Sequence, residues 1–237
     1  MVSHASARAS RSEGRWETHV KTGRRAVWRV VCTACTPYLN FAREDAPVLL
    51  YLTHVAQAQV SYGTCYSLTH STAYPLESDS VPDVAALQYA LDQDLSQIKH
   101  NFDTIRTFYS SFHGVPVVPS AAAVGLKVFL GIYVTDEAWY NNQVDDAVQG
   151  VAQHPETVQA ILVGNENIQL QGEGPGPYTP SRIVELMEEI RQRTSTPVPI
   201  GTVQRITEWL EGSDEMDALA EASDIIGLLF LHVRSTQ

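Results

Sequence analysis

The chain has 237 residues, of which 44% are hydrophobic and 18% are charged, so it can build a sizeable core and is not a disordered polyelectrolyte. Its net charge of −11 is uneven, because residues 1–60 carry eight Lys and Arg against four Asp and Glu, whereas residues 61–237 carry eight against 23. The acidic body argues against a nucleic-acid partner and is compatible with a neutral substrate such as a sugar polymer.

The first 58 residues divide into two parts. Residues 1–45 are rich in Ser, Ala and Arg without an apolar period, which predicts a poorly structured basic extension. In residues 46–58 a short apolar run precedes an Ala-Gln-Ala tripeptide, which is typical of a secretory signal with its cleavage site. A surface helix or a chance match stays an alternative, since signals begin near the first residue. The run is too short to span a membrane, and we expect a secreted or cell-wall protein.

From residue 59 to residue 237 short apolar strands alternate with helices. A helix that opens at Pro82-Asp83 has apolar residues three or four positions apart, and another begins at Thr179-Pro180 with a favoured cap and a favoured first residue. A third is predicted to begin at Thr135, with Asp136 and Glu137 in its first turn. The predicted strands are 61–67, 103–110, 127–134, 160–166, 198–204 and 224–231.

Strands that alternate with helices predict a parallel sheet, which is either an open doubly wound sheet or a barrel. A complete eight-unit barrel takes around 250 residues, so six units within residues 59–237 look like a barrel that stops two units early. Such a barrel would leave its first and sixth strands as open edges.

Polar residues at the carboxyl ends of the strands are the candidate site, because these ends face the ligand in both kinds of fold. The apolar run 160–163 leads into Asn165 and Glu166, which either cap the next turn or form a site. Aromatic rings, amides and carboxylates suit a sugar ligand. The other candidate residues are Tyr66, Arg106, Tyr109, Thr202 and Gln204. Arg106 needs a buried acceptor, and a purely structural salt bridge remains an alternative for it.

Other chemistries lack their motifs. The Cys32–Cys35 pair has no βαβ context, and the Gly-rich segment 172–176 is not followed by the Gly-Lys-Ser/Thr of a phosphate loop. No His pair has metal-ligand spacing, and no Ser lies in a nucleophile elbow. We expect neither a metal nor a cofactor.

Six motifs together resemble glycoside hydrolase family 17, the β-1,3-glucanases and related glucanosyltransferases. They lie in the family's order over about residues 60–227: YGTCYS, TIRTFYS, GLKVFLGIYVTDEAWY, AILVGNENI, PIGTVQRITEWL and ASDIIG. The resemblance implies an α/β fold, a (β/α)8 TIM barrel of which this chain holds strands one to six. It also implies retaining hydrolysis of β-1,3-glucan, of the endo-1,3-β-glucosidase type. Glu166 would be the acid/base, and Asn165 would hold the 2-hydroxyl of the sugar. We expect a monomer.

The second carboxylate of a retaining site has no match in this sequence. The family places it in a segment like E-x-G-W-P at the end of strand seven, and the likeness ends near Gly227. Glu137 and Glu208 are weak substitutes, because each fits the first turn of a helix. We therefore expect this chain alone to be inactive and marginally stable. A cell-wall glucanosyltransferase and a non-catalytic glucan-binding remnant stay open as alternatives.

Overall fold

The computed structural model describes residues 30–32, 63–75, 81–169 and 176–229. The strands within them are β1 (Val30–Cys32), β2 (Gly63–Tyr66), β3 (Thr104–Thr107), β4 (Ser111–Phe112), β5 (Val115–Pro116), β6 (Lys127–Ile132), β7 (Val158–Asn165), β8 (Ile200–Arg205) and β9 (Ile225–Leu229). The α-helices are α1 (Val84–Lys99), α2 (Val117–Val124), α3 (Tyr140–Gln153), α4 (Pro180–Arg193), α5 (Ile206–Glu211) and α6 (Asp214–Ala222). No helix in the described part is long and apolar enough to cross a membrane.

The main sheet is parallel throughout and has the order β1-β9-β8-β7-β6-β3-β2. Its last six strands therefore follow one another in space as they do in sequence, with helices between them. This is an α/β half-barrel, consistent with an incomplete TIM barrel, and it confirms the predicted fold class.

Two predicted helix starts have the expected caps. The Asp83 side chain accepts a hydrogen bond of 3.0 Å from the Ala86 N–H and begins α1. Thr179 accepts from the Arg182 N–H at 3.2 Å, and Pro180 is the first residue of α4. These side chains satisfy backbone donors that the first turn of a helix leaves unpaired.

The third predicted helix start is wrong. Thr135 does not cap a helix; its Oγ1 accepts a hydrogen bond from the Glu137 N–H at 3.3 Å in a local turn, and α3 begins only at Tyr140. Helix α2 and the β4–β5 hairpin were not predicted from the sequence. The hairpin turns at His113-Gly114, both with positive φ, a pair suited to a two-residue turn.

Apolar residues fill both faces of the sheet. The larger core lies between the sheet and the helices and includes Leu87, Leu91 and Leu95 of α1, as their spacing predicts. The opposite, concave face carries a smaller group, which we call the inner cluster: Phe129, Ala160, Leu162, Val203 and Ile225. Strand residues therefore alternate between the helix-facing side and the inner side.

The sixth predicted strand, β9, was expected to have an open outer edge, but that edge is paired. Residues Val30–Cys32 pair with it in parallel, with Val30 opposite Ile226 and Cys32 opposite Leu228. These three residues belong to the extension predicted to be poorly structured, and the rest of residues 1–58, including the signal-like segment 46–58, lies outside the described residues.

Candidate active site

A bulge at the end of β7 aims the candidate residues. Leu162 lies opposite Gly201 of β8, but Asn165 lies opposite Val203, so β7 uses three residues where β8 uses two. Gly164 has a φ of 79°, in the left-handed region that favours glycine. The extra residue turns Asn165 toward the side of the inner cluster, whereas regular alternation from Leu162 would turn it toward the helices.

Arg106 of β3 is 4% exposed, and its Nη2 donates a hydrogen bond to Asn165 Oδ1. Its guanidinium carbon lies 4.4 Å from the ring centroid of Phe108. Nε and Nη1 are buried without a nitrogen or oxygen partner. Burial lowers the pKa of Arg106, and the Cys65 thiol and the Glu166 carboxylate oppose that change. Arginine keeps its charge in proteins, so this buried cation also draws an anionic or acceptor group toward it.

Glu166 follows directly, in a strained backbone conformation. Its φ is 49°, and its N–H donates to the Val203 carbonyl at 2.9 Å. A non-glycine residue in this region costs about 1–2 kcal/mol, and such strain is concentrated at functional sites. The residue is half-buried, and its Oε1 is buried without a hydrogen-bond partner. Arg106, Asn165 and Glu166 thus form one polar group at the carboxyl ends of β3 and β7, which we call the polar triad.

Thr202 and Gln204 are not part of the polar triad. Both are fully buried and lie on the helix-facing side of β8, out of phase with Val203. Gln204 Nε2 donates to Thr202 Oγ1 at 2.8 Å and to Asn167 Oδ1 at 3.2 Å, while its Oε1 accepts from the Asn167 N–H at 3.2 Å. The pair therefore supports the turn that follows Glu166 instead of facing a ligand.

Tyr66 also lies on the helix-facing side. It pairs in register with Thr107, one residue out of phase with Arg106. Its hydroxyl donates a hydrogen bond of 2.8 Å to Asp94 of α1, and its ring packs edge-on against Phe112 at a centroid distance of 6.3 Å. Burial and the Asp94 carboxylate raise the pKa of Tyr66 well above its ordinary value. The structure does not bring this residue together with the polar triad.

Tyr109 belongs to a group of rings that we call the aromatic cluster, with Tyr133 and Trp139. Tyr109 and Tyr133 stack with centroids 5.1 Å apart and planes 13° apart, and Tyr133 and Trp139 stack at 5.9 Å and 25°. Tyr133 was not among the predicted site residues, and the helix predicted to begin at Thr135 would have contained Trp139. The sequence feature that could have identified them is that Tyr133 and Trp139 flank the short segment after β6 that contains Asp136 and Glu137.

The two considered substitutes for a second carboxylate are engaged elsewhere. Glu137 is exposed and accepts a hydrogen bond of 2.6 Å from Trp139 Nε1. Glu208 is buried, pairs with the Arg205 guanidinium, and accepts from the Arg205 N–H at 3.0 Å as the capping residue of α5. Over the residues that the structure describes, no group of His, Cys, Asp and Glu could hold a metal ion.

A parallel half-barrel with a carboxylate at the end of β7 is the arrangement expected of a barrel-type glycoside hydrolase domain. Residues 64–230 match the BtgE/BtgC glycoside hydrolase domain, so the chain belongs to that family. The predicted class is confirmed at this level, and the narrower assignment to glycoside hydrolase family 17 stays a prediction.

Two known proteins are similar to the chain, one in sequence and one in fold. Over 136 residues the chain is 29% identical to a glucan 1,3-beta-glucosidase of Arthroderma benhamiae. The aligned region covers 56% of this chain and 42% of that protein. Its fold is similar to the crystal structure of an endo-laminarinase from Formosa Hel1_33_131, with a TM-score of 0.51, 16% identity, and coverage of 69% of this chain and 48% of the other. The chain spans less than half the length of each of these two proteins.

Proposed function

We propose that the whole protein hydrolyses β-1,3-glucan with retention of configuration, and that Glu166 is its acid/base. One observation carries this proposal: a half-buried carboxylate with an unpartnered buried oxygen lies beside a buried Arg–Asn pair at the carboxyl ends of the strands. The glucosidase and the endo-laminarinase described above support a β-glucan as the substrate.

Arg106 orients the amide of Asn165 for this role. Because Asn165 Oδ1 accepts from Arg106, the Nδ2 amino group is left to donate to a ligand. A sugar hydroxyl is a suitable acceptor, and the resemblance to family 17 assigns the 2-hydroxyl to this asparagine. Such a bond positions the sugar next to the Glu166 carboxyl group.

The proposed reaction has two steps. First, a second carboxylate attacks the anomeric carbon while the glycosidic C–O bond breaks and the leaving oxygen takes the proton of Glu166. Then Glu166, now a carboxylate, takes a proton from water, and the oxygen of that water displaces the second carboxylate from the sugar. Since Glu137 and Glu208 are engaged elsewhere, we propose that this second carboxylate comes from outside the described residues.

The test uses the longest natural form of the protein that contains this sequence. Glu166→Gln keeps the shape of the side chain but cannot supply a proton, so laminarin hydrolysis should fall by roughly 10² to 10⁴. Glu221→Gln, the same change at an exposed position of α6, is the matched control and should leave the rate unchanged. Proton NMR of the first product should show the β-anomer. An unchanged rate for Glu166→Gln, or a first product in the α-form, would refute the proposal.

A glucan-binding function without turnover is the second candidate, because no second carboxylate is assigned within the described residues. Calorimetry that shows laminari-oligosaccharide binding by a natural form without hydrolysis would favour it.

We also propose that the protein is secreted, on the strength of the signal-like segment 46–58. Amino-terminal sequencing of the secreted protein should begin at Gln59. Protein that stays inside the cell and begins at Met1 would refute secretion.

A further inference from the structure

The two peptide groups on either side of the Glu166 Cα are both held by β8. The N–H of Glu166 donates to the main-chain carbonyl of Val203 at 2.9 Å, which fixes the peptide before the carboxylate residue. The N–H of Asn167 donates to the side-chain Oε1 of Gln204 at 3.2 Å, which fixes the peptide after it. The backbone rotations of Glu166 are therefore set by two successive residues of β8, and only Gln204 acts through its side chain.

The backbone of Glu166 needs such a hold. Its φ is 49°, which is sterically unfavourable for a residue with a side chain and persists only where the surroundings fix it. Without the bond from Asn167 to Gln204, the peptide after Glu166 is free to rotate, and the residue can relax toward an ordinary backbone conformation. That rotation would turn the carboxyl group away from Arg106 and Asn165.

Gln204 is itself held in one orientation. The residue is fully buried, and its Nε2 donates to Thr202 Oγ1 at 2.8 Å and to Asn167 Oδ1 at 3.2 Å. A buried amide whose donors and acceptor are all engaged has little freedom to turn. The Asn167 side chain in turn lies against Gly164, where an added Cβ would be 2.6 Å from its Oδ1. Gln204 thus grips the turn through both the backbone and the side chain of Asn167.

This grip comes from the side of the sheet away from any ligand. Gln204 lies on the helix-facing side of β8, whereas the polar triad faces the inner side, so Gln204 reaches Glu166 only through Asn167. The Glu166 Oε1 atom has no hydrogen-bond partner among the described residues. The direction of the carboxyl group therefore depends on the backbone that carries it.

We propose that Gln204 is a positioning residue for catalysis, which holds Glu166 in its strained backbone conformation and so aims the carboxyl group at the leaving oxygen. This inference rests on the proposed function, because it takes Glu166 to be the acid/base. It replaces the expected contact between Gln204 and the sugar by an indirect role.

The test compares kcat/KM for two substrates of the longest natural form that contains this sequence. Laminarihexaose has a leaving sugar oxygen that must be protonated, whereas dinitrophenyl β-laminaribioside releases a stable phenolate without a proton. A misplaced acid should therefore slow only the first substrate. We expect Gln204→Leu to lower kcat/KM about 10- to 100-fold for laminarihexaose and less than about threefold for the dinitrophenyl substrate.

Two further variants separate positioning from stability. Leu91→Ala removes core packing in α1, so at a temperature where it is folded it should leave both substrates unchanged. Asn167→Ala keeps the backbone N–H but removes the side-chain bond to Gln204. Because Asn167 is only half-buried, this variant tests the same link if Gln204→Leu does not fold. It should show a smaller loss with the same preference for laminarihexaose.

Glu166→Gln is the reference, and its loss should be larger still and again confined to laminarihexaose. If Glu166→Gln shows that pattern while the folded variants of Gln204 and Asn167 lose nothing, or lose equally on both substrates, the positioning role is wrong and the proposed function stands. If Glu166→Gln itself leaves laminarihexaose cleavage unchanged, the proposed function is overturned as well.

Discussion

Replacing Gln204 by Leu should destabilise the turn that holds Glu166. Gln204 is fully buried and makes three hydrogen bonds: it accepts from the Asn167 N–H and donates to Asn167 Oδ1 and to Thr202 Oγ1. Leucine has a similar volume and can make none of them. The substitution therefore removes the hydrogen bonds without opening a large cavity.

The expected loss follows from the number and burial of these bonds. Each hydrogen bond contributes about 1 kcal/mol net, and a buried group left unpaired costs about 1–3 kcal/mol. Thr202 is fully buried, so its hydroxyl cannot turn to water, whereas Asn167 is half-buried and can be partly rehydrated. We therefore expect the free energy of unfolding to fall by about 2–3 kcal/mol.

Urea unfolding of the full chain, followed by circular dichroism, measures this change. Gln93→Leu is the matched control, because Gln93 is exposed on α1, and it should change stability by less than about 0.5 kcal/mol. If Gln204→Leu lowers the free energy of unfolding no more than Gln93→Leu does, the three bonds do not support the turn and the reasoning is wrong.

Three further predictions concern single sites. Gly164→Ala should lower the free energy of unfolding by at least about 2 kcal/mol, because the backbone is left-handed and the new Cβ would lie only 2.6 Å from Asn167 Oδ1. Gly125→Ala is the control: its φ is 73° and the space around it is open, so it should show the backbone cost alone. Equal losses for the two variants in urea unfolding would contradict the predicted clash. Burial raises the pKa of Tyr140 to about 12, so ionisation of this tyrosine favours the unfolded chain between about pH 10 and 12. Its contribution to stability should be complete below this range and should fall within it. In thermal melts Tyr140→Phe should show a smaller fall in stability over the same range, and an equal fall in the two proteins would refute the prediction. Leu91→Ala should lower the free energy of unfolding, measured in urea, by about 2–5 kcal/mol. A loss below about 1 kcal/mol would contradict the place of Leu91 in the core.

The periodic parts of the fold could be predicted from the sequence. Six apolar runs became β2, β3, β6, β7, β8 and β9, and the apolar stripe of α1 is buried as expected. These elements are set by local patterns, because hydrophobic period and cap chemistry act over a few residues. The short hairpin β4–β5 has two residues in each strand, too few for a period to show.

The predicted helix start at Thr135 failed for a tertiary reason. Thr-Asp-Glu is a good capping pattern, but side chains outside the helix hold this segment in another shape. Glu137 accepts the Trp139 indole hydrogen bond, and Asp136 accepts one from Tyr178, a residue 42 positions away in the sequence. The contact between Asp136 and Tyr178 is long-range, so a local pattern cannot show it.

The candidate site was predictable in its place but not in its orientation. The end of an apolar strand marked Asn165 and Glu166, yet strict alternation from Leu162 would direct Asn165 toward the helices, away from Arg106. The extra residue at Gly164 reverses that direction and brings Asn165 within hydrogen-bond reach of an arginine 59 positions earlier. The same local distortion leaves Glu166 with a φ of 49°, so the strain at the carboxylate and the aim of the amide have one cause. A variant that restores regular alternation at Gly164 should therefore displace Asn165 and Glu166 together and not one of them without the other.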